Sequence, residues 1–174
     1  MSNNSRFQSC FSARVVLWYH IEHQEETQVY YFAYGSNLNW PQMQRRCPSS
    51  RFICIARLPN YQFGIARHSR LRQCGTANVF PAPDKEVWGA VYEVCDEDLN
   101  TLDRFEDGYH RRILPVYTVD NEQELLNVLV YVAELELDVP LPNAEYKRLI
   151  LEGAKHWNLP SPYLSILEEI QAAR

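Results

Sequence analysis

Short segments rich in β-branched and aromatic residues, separated by Gly, Pro and Asn, fill most of the chain from Val29 to Ala133. These segments predict seven strands, at Val29–Tyr34, Phe52–Arg57, Tyr61–Ala66, Ala77–Phe80, Val87–Val94, Ile113–Val119 and Leu126–Ala133. Helical patterns are placed between and after them, at Pro41–Arg46, Asp96–Glu106, Asn143–His156 and Pro162–Ala172. A strand-rich middle with interspersed helices and a helical end predicts an α+β domain, whose sheet can close into a small barrel.

The length of 174 residues suits one domain and is too short for two comfortable ones. A chain of this size buries roughly 70% of its unfolded surface, which is enough for a closed core and a concave site. No apolar run approaches the ~20 residues that a membrane span requires, so we expect no membrane partner.

The cysteines form an odd set of five, without a C-x-x-C pair or a metal-like spacing: Cys10, Cys47, Cys54, Cys74 and Cys95. Neither a disulfide framework nor a zinc site is indicated. A reducing, cytoplasmic location is therefore expected.

Charges are distributed unevenly along the chain. No Asp or Glu occurs from Thr27 to Pro83, whereas seven arginines lie between Arg45 and Arg72, and from Asp84 onward acids outnumber bases by 19 to 8. Either the two halves neutralise each other across the folded surface, or the basic half forms an electropositive site for a carboxylate or phosphate. The overall pI of about 5.5 argues against a nucleic-acid partner.

Residues 1–28 are predicted to be an N-terminal extension, poorly ordered, ahead of a domain at 29–174. The extension lacks the apolar length and the cleavage site of a secretory signal, and its first twenty residues hold only two arginines for an organelle transit peptide. His20 and His23 stand three residues apart without an evident third ligand, so we predict no metal there.

The first predicted strand stops at three small polar residues, Gly35, Ser36 and Asn37. Asn39 can cap a short helix after them, and Pro41 is tolerated in its first turn. A strand, a small-residue loop and a helix start predict an anion cradle, because glycine allows close backbone approach and first-turn N–H groups point outward. A plain turn is the alternative, since a lone Gly-Ser-Asn is weak evidence of a site.

The segment CDEDLNTLDRFEDG predicts a helix that carries a carboxylate on its apolar face. Asp96 is a suitable N-terminal cap, and Gly108 is a natural stop. Glu106 follows Leu102 by four positions and Leu99 by seven, so it falls on the apolar stripe. Burial raises the pKa of such a carboxyl group unless cations compensate, and a raised pKa suits general acid/base work near neutral pH.

Two alternatives remain open for this segment. Arg104, Arg111 and Arg112 are the nearby cations, and Glu106 could pair with one of them or swing into solvent and catalyse nothing. Tyr109, next to Gly108, could reach a ligand with its hydroxyl group or belong to the core.

Ordered motifs along the chain resemble the gamma-glutamylcyclotransferase family, and closely resemble its cytosolic members. They are FAYGSNL at Phe32–Leu38, ARL at Ala56–Leu58, EVWGAVYEV at Glu86–Val94, NTLDRFEDG at Asn100–Gly108, and YKRLILEGAK with LPSPY near the carboxyl end. The resemblance spans nearly all of Val29–Ile170. It implies a small mixed β-barrel with flanking helices.

The resemblance also implies conversion of gamma-glutamyl amino acids to 5-oxoproline with release of the free amino acid. It implies that Glu106 is catalytic and that the substrate binds at Tyr34, Gly35, Ser36, Asn37 and Leu38, to which the reasoning above adds Tyr109. A small gamma-glutamyl substrate is the expected partner, and neither a cofactor nor a metal is expected. Oligomeric state is left open, a homodimer included.

One departure from the family pattern leaves the identity of the leaving amine open. Glu106 is followed after two residues by Tyr109 and then by Arg111, a shorter connection than in the mammalian cytosolic enzymes and similar to that of gamma-glutamylamine cyclotransferases and plant AIG2-like members. Glutathione-specific relatives carry a different residue where Asn37 stands, so glutathione is the less expected substrate. A non-catalytic module that binds a carboxylate in the same cradle is a further alternative.

Overall fold

The computed structural model describes residues 28–119 and 125–173. The predicted extension, with His20 and His23, lies outside the described residues except for Gln28. Within them, none of the helices has the length and apolar character needed to cross a bilayer.

The described residues form five strands, four α-helices and one 3-10 turn. The strands are β1 (Val29–Ala33), β2 (Arg51–Ser69), β3 (Cys74–Val94), β4 (Tyr109–Thr118) and β5 (Leu125–Ala133). The helices are α1 (Trp40–Arg46), α2 (Asp96–Asp103), α3 (Ala144–His156) and α4 (Ser161–Glu168), and the 3-10 turn is Ser36–Leu38.

The strands form one closed mixed barrel in the order β1-β3-β2-β4-β5. All neighbours are antiparallel except β1 and β5, which close the barrel as a parallel pair with Tyr31 opposite Leu129. The predicted α+β barrel with flanking helices is therefore confirmed.

Four of the predicted strands merge into two long ones. Phe52–Arg57 and Tyr61–Ala66 are parts of β2, and Ala77–Phe80 and Val87–Val94 are parts of β3. The punctuation between them marks irregularities inside a continuous ladder: the register shifts between Pro59 and Tyr61, where Asn60 adopts a positive φ of 59°. Asp84 on the partner strand also has a positive φ, 62°, and its N–H donates to the Asn60 side chain at 3.4 Å. Pro and Asn at a β-bulge bend a strand without ending it.

Two helix boundaries also differ from the prediction. Helix α2 ends at Asp103, three residues before Glu106, and its N-cap is Cys95 with no side-chain cap bond; Asp96 lies in the first turn instead. Three acidic residues in that first turn stabilise the helix start through the positive end of the helix dipole, although no side chain caps it. Helix α4 ends at Glu168 rather than at Ala172.

The predicted cap of α1 is confirmed, and α3 is capped in the same way. The Asn39 side chain accepts a hydrogen bond from the Gln42 N–H at 3.1 Å, and Asn143 accepts from the Tyr146 N–H at 2.8 Å. The cap of α1 follows directly on the 3-10 turn, so the chain passes from β1 into α1 within six residues.

Helix α3 packs closely against the 3-10 turn through Gly153. A Cβ atom added at Gly153 would overlap the carbonyl carbon of Leu38 and lie 2.5 Å from the Asn39 nitrogen. The indole N–H of Trp157 donates to the Leu38 carbonyl at 3.0 Å, and the Asn39 amide donates to Glu152 at 3.2 Å. The turn that follows β1 is therefore supported from behind by α3.

We expect Gly153→Ala to destabilise the protein. In an exposed helix the change would stabilise by about 1 kcal/mol, but here the new methyl group meets backbone atoms, and overpacking costs roughly 1–3 kcal/mol. Urea unfolding measures the difference. Arg148→Ala, on the exposed side of the same helix, is the control and should change stability by no more than about 0.5 kcal/mol. A more stable Gly153→Ala variant would contradict the close packing.

Candidate active site

A cleft opens at the end of the barrel where β1 passes into the 3-10 turn, and it encloses about 520 Å³ of space that is open to solvent. Tyrosines form much of its wall, two arginines, one glutamate and Asp107 supply its charge, and the loop after β1 forms one side. Its principal lining residues are Tyr31, Tyr34, Gly35, Ser36, Asn37, Arg46, Arg72, Glu106, Tyr109, Tyr131 and Tyr146.

The structure brings six of the seven predicted site residues to this cleft, namely Tyr34, Gly35, Ser36, Asn37, Glu106 and Tyr109. Leu38 is the exception, because it is fully buried in the core and does not line the cleft. Successive side chains of a 3-10 turn point about 120° apart, so the residue after Asn37 turns away from the opening.

Gly35 stands where the two sides of the cleft come closest. A Cβ atom there would lie 3.3 Å from both the Ala77 Cβ and the Tyr146 hydroxyl oxygen. The first hydrogen bond of the turn runs from the Leu38 N–H to the Gly35 carbonyl at 3.0 Å. The turn itself therefore offers no acceptor to the N–H groups of Ser36 and Asn37.

The Ser36 hydroxyl accepts two hydrogen bonds, from Gln42 Nε2 at 3.0 Å and from Arg72 Nη2 at 3.3 Å. A hydroxyl oxygen has two lone pairs, so both acceptor positions are filled. Its hydrogen remains available to donate to a molecule in the cleft.

The Asn37 side chain links a cation to the glutamate. Its Oδ1 accepts from Arg46 Nη1 at 2.8 Å and from Gln42 Nε2 at 3.3 Å. Its Nδ2 donates to the Tyr31 hydroxyl at 2.9 Å and to Glu106 Oε1 at 3.3 Å. Every polar position of this buried amide group is thus used within the protein.

Glu106 lies just past the end of α2, in a tight turn. Its N–H donates to the Leu102 carbonyl at 3.1 Å, which continues the helical pattern by one turn and explains why periodicity placed the residue on the correct face. The Tyr109 N–H then donates to the Glu106 carbonyl at 2.9 Å, and Gly108 adopts a φ of 81°. A positive φ of this size favours glycine, which permits the short connection after the glutamate.

Asp103 fixes the end of α2 that precedes Glu106. Its carboxylate accepts from Arg111 at 3.0 and 2.6 Å and from the Tyr131 hydroxyl at 2.8 Å. Arg111, one of the three candidate cations near Glu106, therefore pairs with Asp103 instead.

Burial raises the pKa of the Glu106 carboxyl group from its usual 4.5 to about 7. The positive charges of Arg46 and Arg72 and the hydrogen bond from Asn37 lower this pKa without cancelling the effect of burial. The residue is only partly exposed to solvent. A carboxyl group of raised pKa therefore lies in the cleft, and the cations that act on it belong to α1 and to the turn between β2 and β3.

Tyr109 lines the cleft, but its hydroxyl group already has protein partners. It donates to the Ala77 carbonyl at 2.6 Å and lies 3.1 Å from the Thr76 hydroxyl. These bonds connect the turn after Glu106 to β3. A contact between Tyr109 and a ligand stays a prediction.

The sequence did not single out Arg46 and Arg72 among the seven arginines of the basic half. Three others, Arg51, Arg57 and Arg67, form salt bridges with glutamates of the acidic half. Both readings of the charge asymmetry are therefore partly correct: three of the seven arginines pair with the acidic half, and two others provide cations to the cleft. The wall residues Tyr31, Tyr131 and Tyr146 carry no sequence signal beyond their aromatic character.

Fold and site together define a small barrel protein with a carboxyl group of raised pKa in a polar cleft. A family model described as "Gamma-glutamyl cyclotransferase, AIG2-like" matches residues 31–158. The chain therefore belongs to this family.

Individual relatives agree with that assignment. The gamma-glutamylcyclotransferase of Homo sapiens is 33% identical over 154 residues, which cover 84% of this chain and 81% of the relative. The gamma-glutamylcyclotransferase of Bos taurus is 31% identical over 154 residues, with 85% and 81% covered. A solved structure named gamma-glutamyl cyclotransferase matches with a TM-score of 0.76 at 31% identity, and covers 84% of this chain and 90% of that one.

We expect the free energy of unfolding of Glu106→Gln to increase relative to that of the parent as pH rises. A raised folded-state pKa means that the stability contributed by the protonated carboxyl is complete below about 4.5 and is lost as pH rises through about 7. The uncharged Gln variant has no such loss. The difference in unfolding free energy between the variant and the parent should therefore widen from about pH 4.5 to about pH 7. Its upper limit is about 3 kcal/mol, reduced by the solvent that reaches the cleft.

Urea unfolding of both proteins at pH 5 and pH 8 measures this gap. Glu97→Gln, the same exchange at an exposed position of α2, controls for the removal of one negative charge. A gap that stays constant or narrows with pH would contradict the raised pKa of Glu106.

Proposed function

We propose that the protein converts gamma-glutamyl amino acids to 5-oxoproline and releases the free amino acid. One observation carries the proposal: the Glu106 carboxyl group, with a pKa of about 7, lies in the same cleft as the loop Gly35–Asn37 and is hydrogen-bonded to it. Membership of the family supports the same activity.

In this reaction the α-amine of the substrate attacks its own γ-carbonyl carbon. Because nucleophile and electrophile belong to one molecule, the protein has only to select the curled conformation. The enclosed end of the cleft suits the glutamyl portion. The free hydrogen of the Ser36 hydroxyl and the N–H groups of the loop are the donors for the oxyanion that develops on the γ-carbonyl oxygen.

Glu106 moves the protons. Its carboxylate takes a proton from the α-ammonium, the freed amine forms the new N–C bond, and the protonated carboxyl delivers that proton to the departing nitrogen as the old C–N bond breaks. The attacking nitrogen still carries one proton more than the lactam needs. Glu106 transfers this second proton to the departing nitrogen as well, so the amino acid is released with an ammonium group. Glu106 ends the cycle as a carboxylate, and no cofactor is consumed.

Asn37 acts on this cycle through Glu106. Since its amide group is fully used by Arg46, Gln42, Tyr31 and Glu106, it orients the carboxyl group rather than gripping the substrate. Direct contacts to the substrate are then left to Ser36 and to the backbone N–H groups of the loop.

The reaction is tested by measuring 5-oxoproline release from gamma-glutamyl-alanine, gamma-glutamyl-lysine linked through the side-chain amine, and glutathione. We expect gamma-glutamyl-alanine to be the best of the three. A preference for the lysine compound would instead indicate a gamma-glutamylamine cyclotransferase. If none of the three compounds released 5-oxoproline while 5-oxoproline itself bound tightly, the proposal would be overturned in favour of a non-catalytic carboxylate-binding module.

We expect Glu106→Gln to lose about 10²- to 10⁴-fold in kcat with substrate affinity largely retained, because general acid/base assistance typically contributes that much. In the parent, kcat/KM should rise with pH through about 7 and then level off, since the carboxylate is the form that accepts the first proton. The residual activity of the Gln variant should lack this inflection. Turnover by the Gln variant at the parental rate would exclude the role of Glu106.

A further inference from the structure

A recess adjoins the cleft on its solvent side. It shares Arg46 and Arg72 with the cleft, and its remaining lining comes from Leu71, Asn143 and Glu145. Leu71 is 65% exposed, and Glu145 is exposed as well, so the recess combines one apolar side chain with two cations and one carboxylate. Its lining keeps a net positive charge. Because the cleft and the recess share these two arginines, the two spaces lie side by side.

Arg46 and Arg72 lack a carboxylate partner in the part of the chain that the structure describes. None of the salt bridges found there includes either residue. Both side chains are half-buried, and each guanidinium group lies over an aromatic ring: Arg46 is 4.1 Å from the Phe105 centroid, and Arg72 is 4.9 Å from that of Tyr146. Glu106 is the negative charge that acts on both, but without a direct ion pair, and partly buried cations of this kind favour the binding of an anion.

The two arginines differ in how far they are committed to the protein. Arg46 Nη1 donates to Asn37, whose amide reaches Glu106, so this cation belongs to the inner part of the cleft. Arg72 donates from Nη2 alone, to Ser36 at 3.3 Å and to Gln42 at 3.0 Å. Its Nε and Nη1 have no protein acceptor among the described residues, and these N–H groups can meet a carboxylate in the recess.

We propose that Arg72, supported by the positive charge of Arg46, binds the carboxylate of the leaving amino acid and makes the enzyme prefer gamma-glutamyl amino acids to gamma-glutamylamines. This inference rests on the proposed function. The α-amine of the glutamyl portion has to lie beside Glu106 in the enclosed cleft, whereas the departing amino acid has to exit towards solvent. The recess, with Arg72 at its boundary and Leu71 beside it, is on that exit side.

The test uses two substrates that differ only in this carboxylate, gamma-glutamyl-alanine and gamma-glutamyl-ethylamine. We expect the parent to prefer the alanine compound in kcat/KM, and Arg72→Gln to lower kcat/KM for it by about 10- to 100-fold, as for loss of a charge-assisted hydrogen bond. The same substitution should change kcat/KM for the ethylamine compound far less. Arg72→Lys, which keeps the charge without the planar fork, should recover part of the preference.

Arg70→Gln is the matched control, because Arg70 lies in the same turn, is exposed, and does not line the cleft or the recess. It removes the same charge and should leave the ratio of the two substrates unchanged. An equal loss on both substrates in Arg72→Gln would overturn the proposal, because Arg72 would then serve only the glutamyl portion or the position of Ser36. A parent without any preference would overturn it as well.

Binding separates this inference from the proposed reaction. Calorimetry in the Glu106→Gln background compares the dissociation constants of the two compounds with and without Arg72→Gln. Tighter binding of the alanine compound that depends on Arg72 supports the carboxylate site, even if the parent forms no 5-oxoproline and the proposed function fails. Equal affinities for both compounds would reject the site whatever the outcome for turnover.

Discussion

Asn37 separates an acid from a cation that would otherwise attract each other directly. Its Oδ1 faces Arg46 and its Nδ2 faces Glu106, so the orientation of one amide group is fixed from both sides. A direct ion pair with Arg46 would lower the pKa of Glu106 and hold the group as a permanent carboxylate. With the amide between them, burial remains the dominant influence, and the carboxyl can both gain and lose a proton near neutral pH.

The position of that amide depends on parts of the chain that are far apart in sequence. Tyr31 and Gln42, which bond the amide directly, come from β1 and α1. Glu106 follows α2, and Arg72, which holds Gln42, comes from the turn between β2 and β3. Behind the loop, α3 approaches so closely that only a glycine fits at position 153. The site is thus a property of the assembled barrel end, because no single element contains both the acid and the groups that tune it.

Local signals were sufficient for part of this arrangement. The loop after β1 and the face of Glu106 could be predicted, since both depend on neighbours within a few residues. Periodicity assigned Glu106 to a helix that in fact ends at Asp103, yet the bond from its N–H to Leu102 keeps the same direction. The choice of Arg72 could not be predicted, because it depends on which arginines find distant glutamates. Leu38, inside the same matching motif, turns into the core, and its contact with a substrate stays a prediction.

The parallel contact between β1 and β5 sets a condition on synthesis. Tyr31, opposite Leu129 at this seam, is also the residue whose hydroxyl accepts from Asn37, so the seam and the pocket share a side chain. A growing chain therefore cannot complete the pocket until residues 125–133 have emerged from the ribosome and met a strand made some hundred residues earlier. A complete pocket therefore forms late in synthesis, after the barrel has closed.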